Sequence, residues 1–169
     1  MNPDSRLGSR PIDEPAEKLL APSVSTLDPQ NFVEERLFAF LLHHEVHKAT
    51  RLQYPLSILC LSPDLHPGEA PPALTTELAR EAIRQIRTTD VGSILRPSSV
   101  ALLFVDAEAR DLRAILQRLR EALPRRRLTL SWGGGCYPQT ASGGRDLLQQ
   151  AVDLMTKAKK DGGDRLYLP

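Results

Sequence analysis

Little in this chain of 169 residues is present in excess, and the scarcities narrow its function. Cysteine occurs twice, at Cys60 and Cys136, far apart and each within an apolar run. That excludes a disulfide framework and leaves both as packing thiols of a reducing compartment. Aromatic residues make up 5% and tryptophan occurs once, too few to interleave with basic residues as a nucleic-acid stacking surface. The formal net charge is +1, so no global field draws the chain to nucleic acid, membrane or an acidic partner. No apolar run approaches the ~18 residues that span a bilayer. The N-terminus lacks the basic-then-apolar pattern of a secretory signal. A cytoplasmic protein is expected, with no nucleic-acid or membrane partner.

What is there is ordinary globular material, 41% hydrophobic and 25% charged, in a length that suits one domain with a proper core. Residues 1–26 carry Pro3, Pro11, Pro15 and Pro22 among Asp, Glu, Ser and Arg without an apolar period, and are expected to be a disordered tail. Within it, Glu14 to Leu20 has at most the makings of one helical turn on a partner. Residues 27–169 form the domain.

Asp28-Pro29 has the chemistry of a helix start, and Val33, Leu37, Phe40 and Leu41 place one apolar face on a helix reaching about Arg51. Tyr54 to Leu61 is nearly all apolar, as in a central strand covered on both faces. Pro63, Pro67, Pro71 and Pro72 mark a loop before a helix from about Ala73 to Arg87. From Arg87 to Phe104 the chain reads as the polar end of a helix, a short strand, the tight turn Arg96-Pro97-Ser98-Ser99 and a second, strongly apolar strand, which together make a hairpin. Leu112, Ile115, Leu116, Leu119 and Leu123 give a helical period from Ala109, which Pro124 stops. Leu128 to Trp132 is a strand running into Gly133-Gly134-Gly135. A last helix through Leu147, Ala151, Met155 and Ala158 ends in lysines and Gly162, before a terminal strand at Arg165 to Leu168. A hairpin between a βα and an αβ unit is the split βαββαβ plan. It predicts an α/β fold with a mostly antiparallel central sheet flanked by helices.

From Leu27 to the C-terminus the chain resembles the GGDEF family, the diguanylate cyclases and their degenerate relatives. The matches are spread out: Asp28-Pro29 with Phe38; Glu45 through Pro55-Leu56-Ser57; Arg87-Thr88-Thr89-Asp90 before the hairpin; Ser131, Gly133, Tyr137 and Pro138; and Ala151, Asp153, Met155, Ala158, Lys159, Gly162 and Arg165. Their order and spacing carry the resemblance, which implies a nucleotidyl-cyclase-like fold.

The family's catalytic signature, Gly-Gly-Asp/Glu-Glu-Phe, falls on Arg96-Pro97-Ser98-Ser99-Val100. Arg and Pro do not offer the close backbone approach of two glycines, and serines do not hold Mg²⁺ as carboxylates do. The metal-binding aspartate at the end of the first strand falls on Ser62, with Asp64 nearby. The loop from Asp64 to Ala73 is shorter than the family's, and the guanine-reading Asn and Asp have no clear counterpart. Gly162-Gly163-Asp164 lies in the turn before the last strand and is no substitute. A catalytically inactive domain is therefore expected, with no cofactor, no metal and no catalytic residues.

The family's R-x-x-D motif, which binds the product cyclic di-GMP as an inhibitor, is retained as Arg87 and Asp90, and Arg118 falls on the arginine that completes that site. The resemblance implies a receptor or regulatory module for cyclic di-GMP that bridges to a second domain or protomer. Guanidinium suits a guanine acceptor edge and phosphates, and carboxylate suits base N–H groups. Against this stand a surface ion pair of Arg87 with Asp90, an ordinary solvated Arg118, and a scaffold that docks a protein partner without any nucleotide.

His43, His44 and His47 fall one residue short of the zincin pattern, and surface histidines are expected rather than metal ligands. Gly133-Gly134-Gly135 lacks the following Lys-Ser/Thr of a P-loop and is read as permitting close packing or a bulge. Arg125-Arg126-Arg127 is read as a solvated loop, and Ser98 and Ser99 have no sequence-near triad partners.

Overall fold

The computed structural model describes residues 31–65, 72–123 and 128–169. The elements in chain order are α1 (Glu35–Leu52), β1 (Leu56–Pro63), α2 (Pro72–Ile83), β2 (Val91–Leu95), β3 (Ser99–Val105), α3 (Ala109–Ala122), β4 (Leu130–Tyr137), α4 (Gly144–Lys160) and β5 (Leu166–Tyr167). Five strands form one sheet in the order β2-β3-β1-β4-β5. β1 pairs antiparallel with β3 and β4, β2 pairs antiparallel with β3, and only β4 with β5 is parallel.

β1 is buried at all eight positions, as its unbroken apolar run predicts for the middle strand. Its side chains alternate between two cores. Leu59 and Leu61 join Leu78, Leu102, Phe104, Leu112, Leu119 and Trp132 under α2 and α3. Ile58 and Cys60 join Phe38, Leu42, Leu103, Leu147 and Met155 under α1 and α4. Helices therefore cover both faces. Each fully buried large side chain contributes roughly 1.5–3 kcal/mol, so these two clusters carry the fold.

The expected elements are all present, but several boundaries are displaced: β1 runs Leu56–Pro63 rather than Tyr54–Leu61, and α1 buries Phe38, Leu42, Val46 and Ala49 rather than Leu37, Phe40 and Leu41. α1 begins at Glu35 rather than at Asp28-Pro29, which lie outside the described residues, as do residues 1–26, the prolines at 67 and 71, and Arg125-Arg126-Arg127. Residues 31–33 are instead extended along the outer edge of β2: Gly92 N donates to Asn31 O at 2.8 Å and Val33 N to Gly92 O at 3.0 Å. Val33, expected on the helix face, thus serves the sheet edge, where otherwise unpaired backbone groups find partners. α2 stops at Ile83 because the chain tightens there, with Gln85 N on Ala82 O and Ile86 N on Ile83 O. β4 continues through the glycine triplet to Tyr137. A Cβ on Gly133 would stand 2.1 Å from Met155 N and 2.2 Å from Ala151 O. The missing side chain lets the α4 backbone lie directly on the strand.

Candidate functional site

Arg87 lies in the turn after α2, Asp90 immediately before β2, and Arg118 on the solvent side of α3, opposite the buried Leu116 and Leu119. All three line one cavity of about 200 Å³, together with Val105, Asp106 and Asp111. The β2–β3 pairing puts Val91 opposite Leu103, so the start of β2 lies beside the end of β3, over which α3 returns.

Asp90 is only 3% exposed. Its carboxylate is held from both sides: Arg87 N donates to Oδ2 at 2.9 Å and Val105 N to Oδ1 at 3.2 Å. Asp90 N in turn donates to Arg87 O at 3.0 Å, and the Asn31 side-chain amide donates to the same carbonyl at 2.7 Å. Two backbone amides thus compensate a buried carboxylate and fix the turn that presents Arg87. Asp111 is likewise engaged, accepting from Glu108 N at 2.8 Å in the capping box of α3.

The side-chain ion pair weighed for Arg87 and Asp90 is not among the salt bridges of the described residues; the two meet through the Arg87 backbone instead. Both guanidiniums are exposed and make no ion pair among the described residues. The cavity therefore offers two exposed, planar cations beside one anion held by two backbone amides. That set can clasp a planar acceptor edge or a phosphate.

The other end of the hairpin has different chemistry. The last β2–β3 pair is Leu95 with Ser99, and Arg96 to Ser98 make the turn. Ser62 Oγ donates to Ser98 O at 3.3 Å, and Lys159 Nζ donates to Pro63 O at 2.7 Å and to Ser62 Oγ at 3.4 Å. Asp64 is turned to a structural task. It accepts from Ser131 Oγ and from Asp164 N at 2.8 Å, and a Cβ on Gly163 would come within 2.6 Å of its carboxyl carbon. Gly162, Gly163 and Asp164 all have positive φ, at 106°, 74° and 49°, and wrap this carboxylate as the turn into β5. Among the described residues, no group of three or more His, Cys, Asp or Glu stands ready to hold a metal ion.

Sequence reasoning missed a larger cavity of about 460 Å³ bordered by Thr50, Tyr54, Glu108, Cys136 and Tyr137. Thr50 Oγ1 and Tyr137 OH meet at its rim, 2.6 Å apart. At its floor the Cys136 thiol lies 3.1 Å from Ser57 Oγ, which donates to Ala107 O at 2.7 Å. Burial raises the Cys136 thiol pKa, so it is a poor nucleophile. These residues come from the end of α1, the loop into β1, β1 itself, the cap of α3 and the end of β4, and no local motif announces them.

A mostly antiparallel sheet in this order, with helices on both faces, defines a nucleotidyl-cyclase-like α/β domain. The fold is that of GGDEF domains. The chain is similar to the GGDEF domain of YfiN (TpbB) from Pseudomonas aeruginosa, with TM-score 0.72, 20% identity and coverage of 80% of this chain and 95% of that one. It is similar to the diguanylate cyclase SiaD of Pseudomonas aeruginosa, solved with its activator SiaC, with TM-score 0.71, 18% identity and coverage of 86% and 62%. The GGDEF domain of DgcB from Caulobacter crescentus, solved in complex with c-di-GMP, gives TM-score 0.66 at 16% identity over 96% and 98%. No family model and no curated protein matches the chain.

Proposed function

We propose that this chain is a catalytically inactive GGDEF-like domain that acts as a cyclic di-GMP receptor or regulatory module. Arg87, Asp90 and Arg118 would form its binding site. The observation that carries this reading is their convergence: the turn holding Arg87 and Asp90 and the distant helix α3 holding Arg118 line one cavity, with both guanidiniums exposed. At about 200 Å³ the cavity is smaller than the ~300 Å³ at which drug-sized ligand pockets begin. It has room for one base and an adjoining phosphate of a cyclic dinucleotide. The rest of the ligand would lie outside, against a second domain or protomer. Inactivity is supported by the absence of any acidic residue in Arg96 to Ser99 and by the engagement of Asp64 with Ser131 and Asp164.

A docking role without nucleotide is favoured by one observation. Leu37 and Phe40, on the first turns of α1, are 46% and 57% exposed, as a face awaiting a protein partner would be.

Calorimetric titration of cyclic di-GMP into the whole chain separates the two readings. Binding that weakens roughly tenfold or more in Arg87→Ala and in Arg118→Ala is expected for the receptor. No heat at about 100 µM ligand, a concentration that registers even weak affinities, would sink the receptor. Incubation with GTP and Mg²⁺ is expected to give no cyclic product; steady turnover would overturn the inactive reading.

A further inference from the structure

His43 and His47 lie one helical turn apart on the solvent face of α1, and their Nε2 atoms are 3.0 Å apart. The ring planes are nearly perpendicular, at 87° with centroids 4.4 Å apart. The backbone beneath them is fixed. Leu42, Val46 and Ala49 are buried on the opposite side of the helix, and Thr50 both donates back to Val46 O at 2.8 Å and meets Tyr137 across the sheet. Lys48, the cation next to His47, is drawn to Glu45 at 2.5 Å. The His44 ring lies against Phe40 with centroids 4.3 Å apart and touches His43 only edge-on, at 6.1 Å.

We propose that His43 and His47 form a bidentate site for a divalent transition-metal ion of the copper(II) and nickel(II) class, with solvent at the remaining positions. The metal-free spacing is already near the bite a shared ion needs. With metal–nitrogen bonds of about 2.0–2.1 Å, a 3.0 Å separation subtends about 95° at the ion. That is close to the right angle between neighbouring ligands of a tetragonal or octahedral ion, whereas a tetrahedral ion asks for nitrogens about 3.3 Å apart. Nitrogen donors at a right angle select copper(II) and nickel(II) over ions that prefer oxygen.

Without metal the same contact is an N–H···N hydrogen bond, one ring donating to the other. When the donor ring exchanges its proton through solvent to the Nδ1–H tautomer, its Nε2 lone pair is freed, and rotation of the exposed ring about its broad terminal torsion turns both lone pairs toward a shared ion. Because the helix holds both Cα atoms, little backbone ordering is left to pay at binding. With two protein ligands and no third among the described residues, the bound ion is exchangeable and keeps open positions for a further donor.

The test uses the whole chain free of any histidine tag, titrated with copper(II) and followed by electron paramagnetic resonance and calorimetry. The chain has four histidines, so each is replaced by alanine in turn. One ion per chain with two equatorial nitrogens is expected, with affinity falling roughly tenfold or more in both His43→Ala and His47→Ala. His44→Ala and His66→Ala are expected to leave it unchanged. His43, His44 and His47 are exposed on α1, and unfolding midpoints check that all the variants fold. Affinity retained in either His43→Ala or His47→Ala, or lost equally in His44→Ala, would overturn the assignment.

Discussion

Replacing Asp90 with alanine removes the buried acceptor that ties the turn after α2 to the end of β3. Two hydrogen bonds to a charged oxygen are lost, from Arg87 N and Val105 N. Each such bond contributes about 1.5–3 kcal/mol, and an amide left without a partner in the interior adds its desolvation penalty. The neighbouring cavity admits water to the orphaned amides, which returns part of that loss. A net destabilisation of about 3 kcal/mol is expected, or about 6–12 °C in the melting midpoint for a domain of this size. Urea unfolding monitored by circular dichroism, at constant m-value, measures it. Asp90→Asn keeps one acceptor oxygen and should lose about half as much. Arg87→Ala and Arg118→Ala, whose side chains are exposed, should stay within about 0.5 kcal/mol of the parent. A loss below about 0.5 kcal/mol in Asp90→Ala would refute the reasoning that this carboxylate is built into the turn. The same contrast makes the two arginines, and not the aspartate, the clean probes of ligand binding.

Gly133→Ala places a methyl group into the α4 backbone and should cost at least the ~3 kcal/mol upper range of overpacking; soluble protein of parental stability would contradict the close seating of α4. Asp64→Ala should destabilise the turn into β5 by about 2 kcal/mol in urea titration while leaving cyclic di-GMP affinity unchanged, since its contacts are Ser131 and Asp164. Burial pushes the Cys60 thiol from 9.0 up to about 12, and burial with the nearby Glu45 raises Tyr54 from 10.0 to about 12. Both groups bind protons more tightly folded than unfolded, so their contribution is complete below about pH 9 and is lost progressively from there toward pH 12. Melting midpoints should fall across that window, and Cys60 should resist alkylation at neutral pH until the chain unfolds.

The architecture was legible because its signals are local. The uninterrupted apolar run of β1 marks a strand buried on both faces, and the period of Leu112, Leu116 and Leu119 marks a helix with one covered side. Boundaries were less legible where tertiary contacts decide them. Nothing in Asn31-Phe32-Val33 says that it will lie along β2, since that depends on the unpaired groups of Gly92. At the site, the resemblance to the GGDEF family pointed to Arg87, Asp90 and Arg118, and these do share a cavity. The sequence does not reveal that the Asp90 carboxylate is taken up by two backbone amides, because one of them, Val105, is fifteen residues away. Nor does any motif bring Tyr54 and Tyr137 to one cavity, since only the β1–β4 pairing, with Leu56 opposite Tyr137, makes them neighbours.

β2 is five residues long, so the step from Asp90 to Arg96 covers about 20 Å at an extended rise. That interval exceeds the ~8 Å over which exposed charges influence one another at physiological ionic strength. The two tips of the hairpin are electrostatically private. For the exposed Arg87 and Arg96, exchanging one side chain leaves the field at the other nearly as it was, so what a ligand held at Arg87 passes to the turn travels mainly through the rigidity of the strand between them.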